Sequence, residues 1–318
     1  DLCITIVYLL SSFKFKFFSI IINHMLTQNQ QGIIFMLLSV ICFSTMDILV
    51  KFLSASYPTF QLVLFRGVFG LIPIFFIIPK NRYKNLFYTS KIKLHSVRAI
   101  AGAFAMIFLF LGLKYLPIAD AIAISFAAPV FATIFSIIFL KETVRIFRWI
   151  AIITGLVGVL IILKPGTDLF SFYAIYPILF CIGFGIISIA IKKLSSTEPD
   201  YLIALYFTVV LIIIGSISCF FQWETIKQPD LIFLILIGIS GSLGNIFLTK
   251  SIRYAEVSKV TPIKYLSLIF ATISGIFIFN EIPSSYTLLG SLLIITSTAI
   301  IIRREAIRKI KTTPIRQV

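Results

Sequence analysis

The sequence predicts an all-α integral membrane protein of ten transmembrane helices, arranged as two inverted five-helix repeats. Three observations carry that prediction. Hydrophobic residues make up 59% of the 318-residue chain and charged ones only 13%, against roughly half and roughly a quarter in soluble domains. Ten stretches are apolar enough and nearly long enough to be membrane spans. The chain also repeats itself at an offset of 139 residues: Lys114-Tyr115 answers to Arg253-Tyr254, Phe131-Ala132-Thr133-Ile134 to Phe270-Ala271-Thr272-Ile273, Gly102 to Gly241 and Glu142 to Glu281. Nearer the start of each copy the offset is 141, where Lys51, Leu53, Ser54 and Pro58 match Lys192, Leu194, Ser195 and Pro199.

A helix crosses the hydrocarbon core in about 20 residues. From Gly32 onward the stretches are roughly 32–53, 58–79, 94–113, 117–140, 147–163, 171–191, 201–221, 230–251, 257–280 and 286–302. Pro, Gly, Ser, Thr and charge separate them, as at Lys164-Pro165-Gly166 and Thr197-Glu198-Pro199-Asp200. Lys and Arg in the loops set orientation. With the first span starting in the cytoplasm, inner segments hold 18 of these residues, and the outer loops hold 4, namely Lys51, Lys114, Lys164 and Lys227. Both ends of the ten-span unit are then cytoplasmic. Five spans per copy is an odd number, so the second copy threads the membrane upside down. That arrangement lets one substrate site face either side in turn.

The chain divides into an extension, 1–24, outside the repeat; a first repeat, 25–165; a second, 166–302; and a basic cytoplasmic tail, 303–318. Residues 1–24 read as an upstream-translated stretch with the natural start at Met25. A membrane-lying segment and an extra span are the alternatives. A signal peptide fits poorly, because Lys14 and Lys16 interrupt the apolar run. Topology and anionic inner-leaflet lipid account for the net charge of +16 without nucleic acid.

Several chemistries are disfavoured. Cys3, Cys42, Cys181 and Cys219 lie apart in apolar runs with no CxxC, and His24 and His95 have no ligand-like neighbours. Neither a metal nor a cofactor is expected. A phosphate-binding G-x-x-x-x-G-K, an H-E-x-x-H and a nucleophile–base pair are all lacking, which argues against an enzyme.

Ionisable groups inside a membrane are costly, so each is a functional candidate. Arg66 lies about eight residues into its span, about 12 Å deep. It reads either as a fork for a substrate carboxylate or as the ion-pair partner of Asp47. Asp47 reads as a counter-charge for a cationic group, as a proton site, or as the local partner of Lys51 four residues on. Asp120, in the first turn of the fourth span, complements the helix dipole. Glu142 and Glu281, being duplicated, read as structural caps or loop braces. Arg98, Lys250, Arg253 and Lys259 sit near the cytoplasmic surface, within snorkelling reach. Lys264 is deeper and stands beside Tyr265; the first copy has Ser125 and Phe126 there, so a substrate-facing role is open to both. Small residues line the third span (Ala99, Ala101, Gly102, Ala103, Ala105) and the eighth (Gly238, Gly241, Gly244), allowing close helix approach. These spans are repeat mates flanking a central cavity, which makes Phe104 and Asn245 candidates to touch a substrate. Pro73, Pro129, Pro177 and Pro262 mark sites of helix bending.

Particular residues carry a family resemblance. Pro129-Val130-Phe131-Ala132-Thr133 runs to Leu140-Lys141-Glu142, and Ser267-Leu268-Ile269-Phe270-Ala271-Thr272 runs to Phe279-Asn280-Glu281. Gly290 follows Glu281, and Arg66 stands in Leu64-Phe65-Arg66. Over about residues 31–302 this resembles the drug/metabolite transporter superfamily, EamA type. One departure is Ala151, where the first copy would carry the mate of Gly290; it loosens one helix contact. The resemblance implies a secondary transporter of a small molecule, working by alternating access in the bacterial inner membrane. Within the family the chain is most similar to carriers that take up S-adenosylmethionine, which implies that substrate and makes exchange for a demethylated product sensible. An exporter of amino acids or related metabolites is the second reading. For S-adenosylmethionine, Arg66 would hold the carboxylate and Asp47 would answer positive charge. Phe104, Tyr115, Tyr254 or Tyr265 would stack on adenine or face the sulfonium. The same residues would serve an amino acid or a nucleotide-like metabolite.

The loop charges give a direct test of topology. A reporter fused after residue 318 should read as cytoplasmic, and one inserted at Lys227 as external. A C-terminal reporter active only outside the cytoplasm would reverse the orientation.

Overall fold

Proline and asparagine set several of the helix ends. Helix α1 (Gln28–Leu53) turns at a short loop into α2 (Thr59–Ile77), which starts directly after Pro58. Helix α3 (Ile92–Tyr115) leads through Pro117 into α4 (Ile118–Ser125), followed by α5 (Ala128–Leu140) and α6 (Ile146–Leu163). A 3₁₀ turn (Phe172–Ala174) opens α7 (Ile175–Leu194), and Pro199 precedes α8 (Asp200–Cys219). A second 3₁₀ turn (Gln228–Asp230) opens α9 (Leu231–Tyr254), and a third (Thr261–Tyr265) opens α10 (Leu266–Phe279). Helix α11 (Ser285–Thr312) closes the chain and continues through residues 303–312 of the basic tail. These elements come from a computed structural model that describes residues 28–79, 86–140, 146–163, 171–194, 197–255 and 261–312. The extension 1–24, Glu142 and Lys259 lie outside the described residues.

Among the described residues all regular structure is helical. Six helices are long and apolar enough to cross a membrane: Gln30–Leu53, Thr59–Ile77, Ile92–Tyr115, Phe172–Ile191, Asp200–Cys219 and Gln228–Ser251. Shorter apolar helices occupy Ile118–Ala132, Ile153–Leu163, Ile263–Phe279 and Ser285–Ser297. The chain is a multi-pass membrane protein.

The stretch expected as one span over 117–140 is broken. Phe126 and Ala127 donate to Ala123 and Ile124 in 3₁₀ fashion, and the helix restarts at Ala128. Pro129 has no N–H to offer the Ser125 carbonyl, so an α-helical bond is lost there. The thiol of Cys181, on α7, points at the loosened turn, with Sγ 3.4 Å from the Ile124 oxygen and 3.7 Å from that of Ser125. The repeat-equivalent stretch is also irregular: the 3₁₀ turn ends at Tyr265, the mate of Phe126, and the two rings meet edge to face at 5.2 Å.

The main helix pairings map onto themselves when the two halves are exchanged. Helix α1 packs on α9 and α3 on α7; α2 packs on α9 and α3 on α8; α5 packs on α7 and α10 on α1. The pairs α2·α8 and α6·α11 are their own counterparts. Aromatic trios repeat in the same way. Tyr176 lies 6.0 Å from both Phe108 and Tyr115. Their mates Phe35, Phe247 and Tyr254 give 6.0 and 5.8 Å.

Close approach depends on glycine. At the α6·α11 crossing, a methyl added to Gly158 would lie 2.7 Å from the Gly290 carbonyl oxygen, and one added to Gly290 would lie 2.5 Å from that of Gly158. Backbone cannot swing aside as a side chain can. Gly158→Ala and Gly290→Ala should therefore each lower thermal stability in detergent, by about 1–3 kcal/mol as for other overpacked sites. Ile213→Val, on the exposed apolar surface, should leave the melting temperature unchanged. A neutral result at both glycines would contradict the crossing.

Candidate functional site

The largest fully buried side chain among the described residues is an arginine, Arg66. It sits where α2 crosses α8, and its guanidinium carbon lies 5.0 Å from the ring centre of Phe207. Arg98, from α3, faces the same ring at 4.2 Å. Arg66 is 0% exposed and Arg98 5%. Nε and Nη1 of both residues lack hydrogen-bond partners. Nη2 of Arg66 reaches the Gly241 carbonyl only at 3.5 Å, and Asn245 donates to that same oxygen at 3.4 Å. Both contacts are at the weak limit.

Glycine makes room for these guanidiniums. A methyl on Gly241 would stand 3.0 Å from Nε of Arg66; one on Gly102 would stand 2.9 Å from the Phe207 ring and 3.2 Å from Nη1 of Arg98. Gly102 and Gly241 are repeat mates, and so are Arg66 and Phe207. Each mate of the second pair lies about eight residues into its helix from opposite faces of the bundle. At 1.5 Å per residue they therefore meet near the middle of a core about 30 Å thick.

Asp47, on α1, joins this region. It is 7% exposed, its Oδ1 is buried without a hydrogen-bond partner, and its charge acts on Arg66. No Asp47–Arg66 or Asp47–Lys51 contact within 4.0 Å is present among the described residues. Lys51 turns away instead, to Glu281 at 2.9 Å and to the Leu116 carbonyl. Ser44, one turn before Asp47 on α1, also has a buried oxygen without a partner.

Arg98 differs from expectation. It does not snorkel; its neighbours Gly102 and Phe207 let it turn inward, where the ring face attracts its charge. The sequence held one signal for this, the glycine one helical turn later. Phe104, by contrast, falls about 200° round the helix from Gly102. It packs at 4.5 Å on Phe108, next to Gly183 on α7, and is not brought to the arginines.

Lys264 and Tyr265 sit at the irregular turn before α10. The Lys264 ammonium lies 5.3 Å from the Phe184 ring on α7, and Tyr265 meets Phe126. Tyr115 stacks on Tyr173 at 4.5 Å, at the far end of α3 from Arg98. Tyr254 belongs to the mirrored trio with Phe35. Glu281 ties three elements together: besides Lys51 it accepts the Ile118 N–H at 2.8 Å, at the start of α4. Its position follows from Asn280, which ends α10 in the left-handed region (φ 54°) that Asn tolerates. Asp120, in the first turn of α4, accepts a hydrogen bond from Thr287. No group of three or more His, Cys, Asp or Glu able to hold a metal occurs among the described residues.

The arrangement gathers cationic forks, a carboxyl, an amide and an aromatic face at the crossing of the two halves. It offers groups to bind and orient a polar solute. It presents no nucleophile and base in contact.

Known proteins resemble most of the chain. The model of the EamA-like transporter family matches residues 30–164 and 171–303. The S-adenosylmethionine uptake transporter of Rickettsia bellii is 32% identical over 277 residues, 86% of this chain and 94% of that protein. The pseudopaline exporter of Pseudomonas aeruginosa is 28% identical over 274 residues, 84% of this chain and 94% of that protein. A solved crystal structure superposes with a TM-score of 0.59 at 16% identity, over 87% of this chain and 99% of that one, a likeness of fold alone.

A buried charge without a partner is not a stabilising feature. Taking an ion out of water costs several kcal/mol, which only well-placed partners repay. Arg66→Leu should therefore fold with an equal or higher melting temperature while losing solute binding. A melting temperature several degrees lower would make Arg66 a structural ion-pair member instead.

Proposed function

Because this chain belongs to the EamA-like transporter family and is a transporter rather than an enzyme, we propose that it takes up S-adenosylmethionine across a bacterial inner membrane by alternating access. The observation that carries this reading is a pairing. Four Rickettsia relatives named as S-adenosylmethionine uptake transporters align at 31–32% identity over most of the chain. At the same time a buried, polar-lined cluster lies where the two halves cross. In this reading Arg66 holds the substrate carboxylate, Asp47 answers its ammonium or sulfonium, and Asn245 orients it from α9. Lys264 and Tyr265, at the irregular turn, border the same path. Tyr115 belongs to the mouth and not to the centre.

The exchange-symmetric packing supports two five-span repeats, 25–165 and 166–302, inserted in opposite orientations, and the Lys and Arg of the loops support cytoplasmic ends. Polar ties at the two faces suit a site that opens to each side in turn. At the face of Leu53, Tyr57 bonds Asp230 at 2.7 Å and Gln61 bonds the Glu224 backbone in both directions. At the opposite face, Glu198, the repeat mate of Tyr57, bonds Thr89 at 2.9 Å, and Lys91 bonds Thr197 at 2.7 Å. These side-chain bonds join helix ends that have to part for a substrate to pass. Glu142 would brace the inner face as Glu281 does the outer.

The pseudopaline exporter supports a second reading, export of an amino-acid-derived metabolite, since it aligns over almost the same span. Proteoliposomes separate the two. Purified protein should accumulate labelled S-adenosylmethionine saturably, and preloading with the unlabelled compound or its demethylated product should accelerate entry by exchange. Uptake inhibited by free amino acids and not by adenosyl compounds would favour the exporter. No saturable flux from folded protein would remove the uptake reading.

A further inference from the structure

Arg66 and Arg98 present a charge problem that the protein does not solve by itself. Both guanidinium carbons lie within 5.0 Å of one ring centre. Two like charges set against one ring repel each other, and more strongly away from water. Neither is paired with an acid within 4.0 Å among the described residues. Asp47 supplies one negative charge to the region, against two positive ones. Among the described residues the backbone acceptor that Arg66 reaches is the Gly241 carbonyl, which Asn245 shares.

The repeat shows that the scaffold does not need this charge. The positions equivalent to Arg66 and Arg98 are Phe207 and Ile237, and both are buried. The same packing is thus built once with apolar side chains and once with two arginines. Buried ions cost several kcal/mol each when their partners are incomplete, so the second version implies a partner that comes and goes.

We infer that Arg66 and Arg98 together form a clamp for one carboxylate, and that the carrier selects substrates bearing a free α-carboxylate beside a cationic group. Two forks set against one ring can each give a hydrogen bond to a single carboxylate. The orphan Oδ1 of Asp47 then takes the neighbouring ammonium, and this zwitterionic complement distinguishes an amino-acid end from a phosphate. Arg98 is the specificity residue that this assigns. The inference rests on the transport reading for its physiological setting, but on the two arginines for its chemistry.

Equilibrium binding to the purified full chain in detergent tests it, with ligands paired to differ only at the carboxylate. One pair is S-adenosylmethionine and its decarboxylated form; the second is a panel of free α-amino acids and their methyl esters; adenosine 5′-monophosphate is the phosphate control. Wild-type protein should prefer the acid of a pair by about 10- to 100-fold, the size of a charge-assisted contact. Arg98→Gln should cut that preference about tenfold by weakening the acid alone, and Arg98→Lys should restore part of it. If S-adenosylmethionine does not bind but an amino acid does, with the same Arg98-dependent preference over its ester, the clamp stands and the substrate reading fails. Equal binding within every pair by the wild type, which needs no variant, would overturn the clamp. So would an Arg98→Gln loss shared equally by acid and decarboxylated forms, tighter binding of the phosphate control, or no binding of any acid by folded protein.

Discussion

Helices dissolved in hydrocarbon gain little by hiding leucine against leucine, because lipid is as apolar as the partner. What holds them is close contact, and close contact needs small residues. In this chain the tightest approaches run between the halves more than within them. Gly158 meets Gly290, Gly183 meets Ala105, Gly244 meets Phe43, and Gly67 and Gly215 seat the α2·α8 crossing. The two halves are therefore interlocked, with α1 lying on α9 and α3 on α7. Every other feature of the molecule is arranged around those contacts.

Interlocking brings repeat mates face to face. Phe126 meets Tyr265, and Arg66 meets Phe207. Where the mates are alike or both apolar, the result is packing. Where one copy has become cationic, the result is a polar island in an apolar bundle. Phe207 is central to that island. Its ring face gives Arg66 and Arg98 a surface that tolerates positive charge without neutralising it. The guanidiniums are thus held in place while much of their hydrogen-bonding capacity remains unused, a condition suited to binding a solute reversibly.

Much of the architecture was legible in the sequence. Among the described residues six of the expected stretches are helices long and apolar enough to cross a membrane, and shorter apolar helices lie within the other four. Glu281 bonds Lys51 and the Ile118 N–H, while its repeat mate Glu142 lies outside the described residues. Arg66 and Asp47 were visible as charges too deep to reach water. Other parts were not legible. Arg98 looked able to snorkel because depth along one helix says nothing of which way a side chain turns. Lys51 looked like the partner of Asp47 four residues before it, but spacing on one helix cannot show that Glu281, far along the chain, comes closer. Phe104 shares its helix with Arg98 yet faces another neighbour.

The sequence by itself determined the solvent, the helices and the repeat, because each follows from local composition or from comparing two stretches of chain. It also determined which positions differ between the copies. Only the tertiary structure decided which of those differences stand together. Two arginines 32 residues apart share one aromatic ring because α2 and α3 both pack on α8. That juxtaposition depends on crossings set by glycines distributed over four helices, and no single stretch of sequence contains them all.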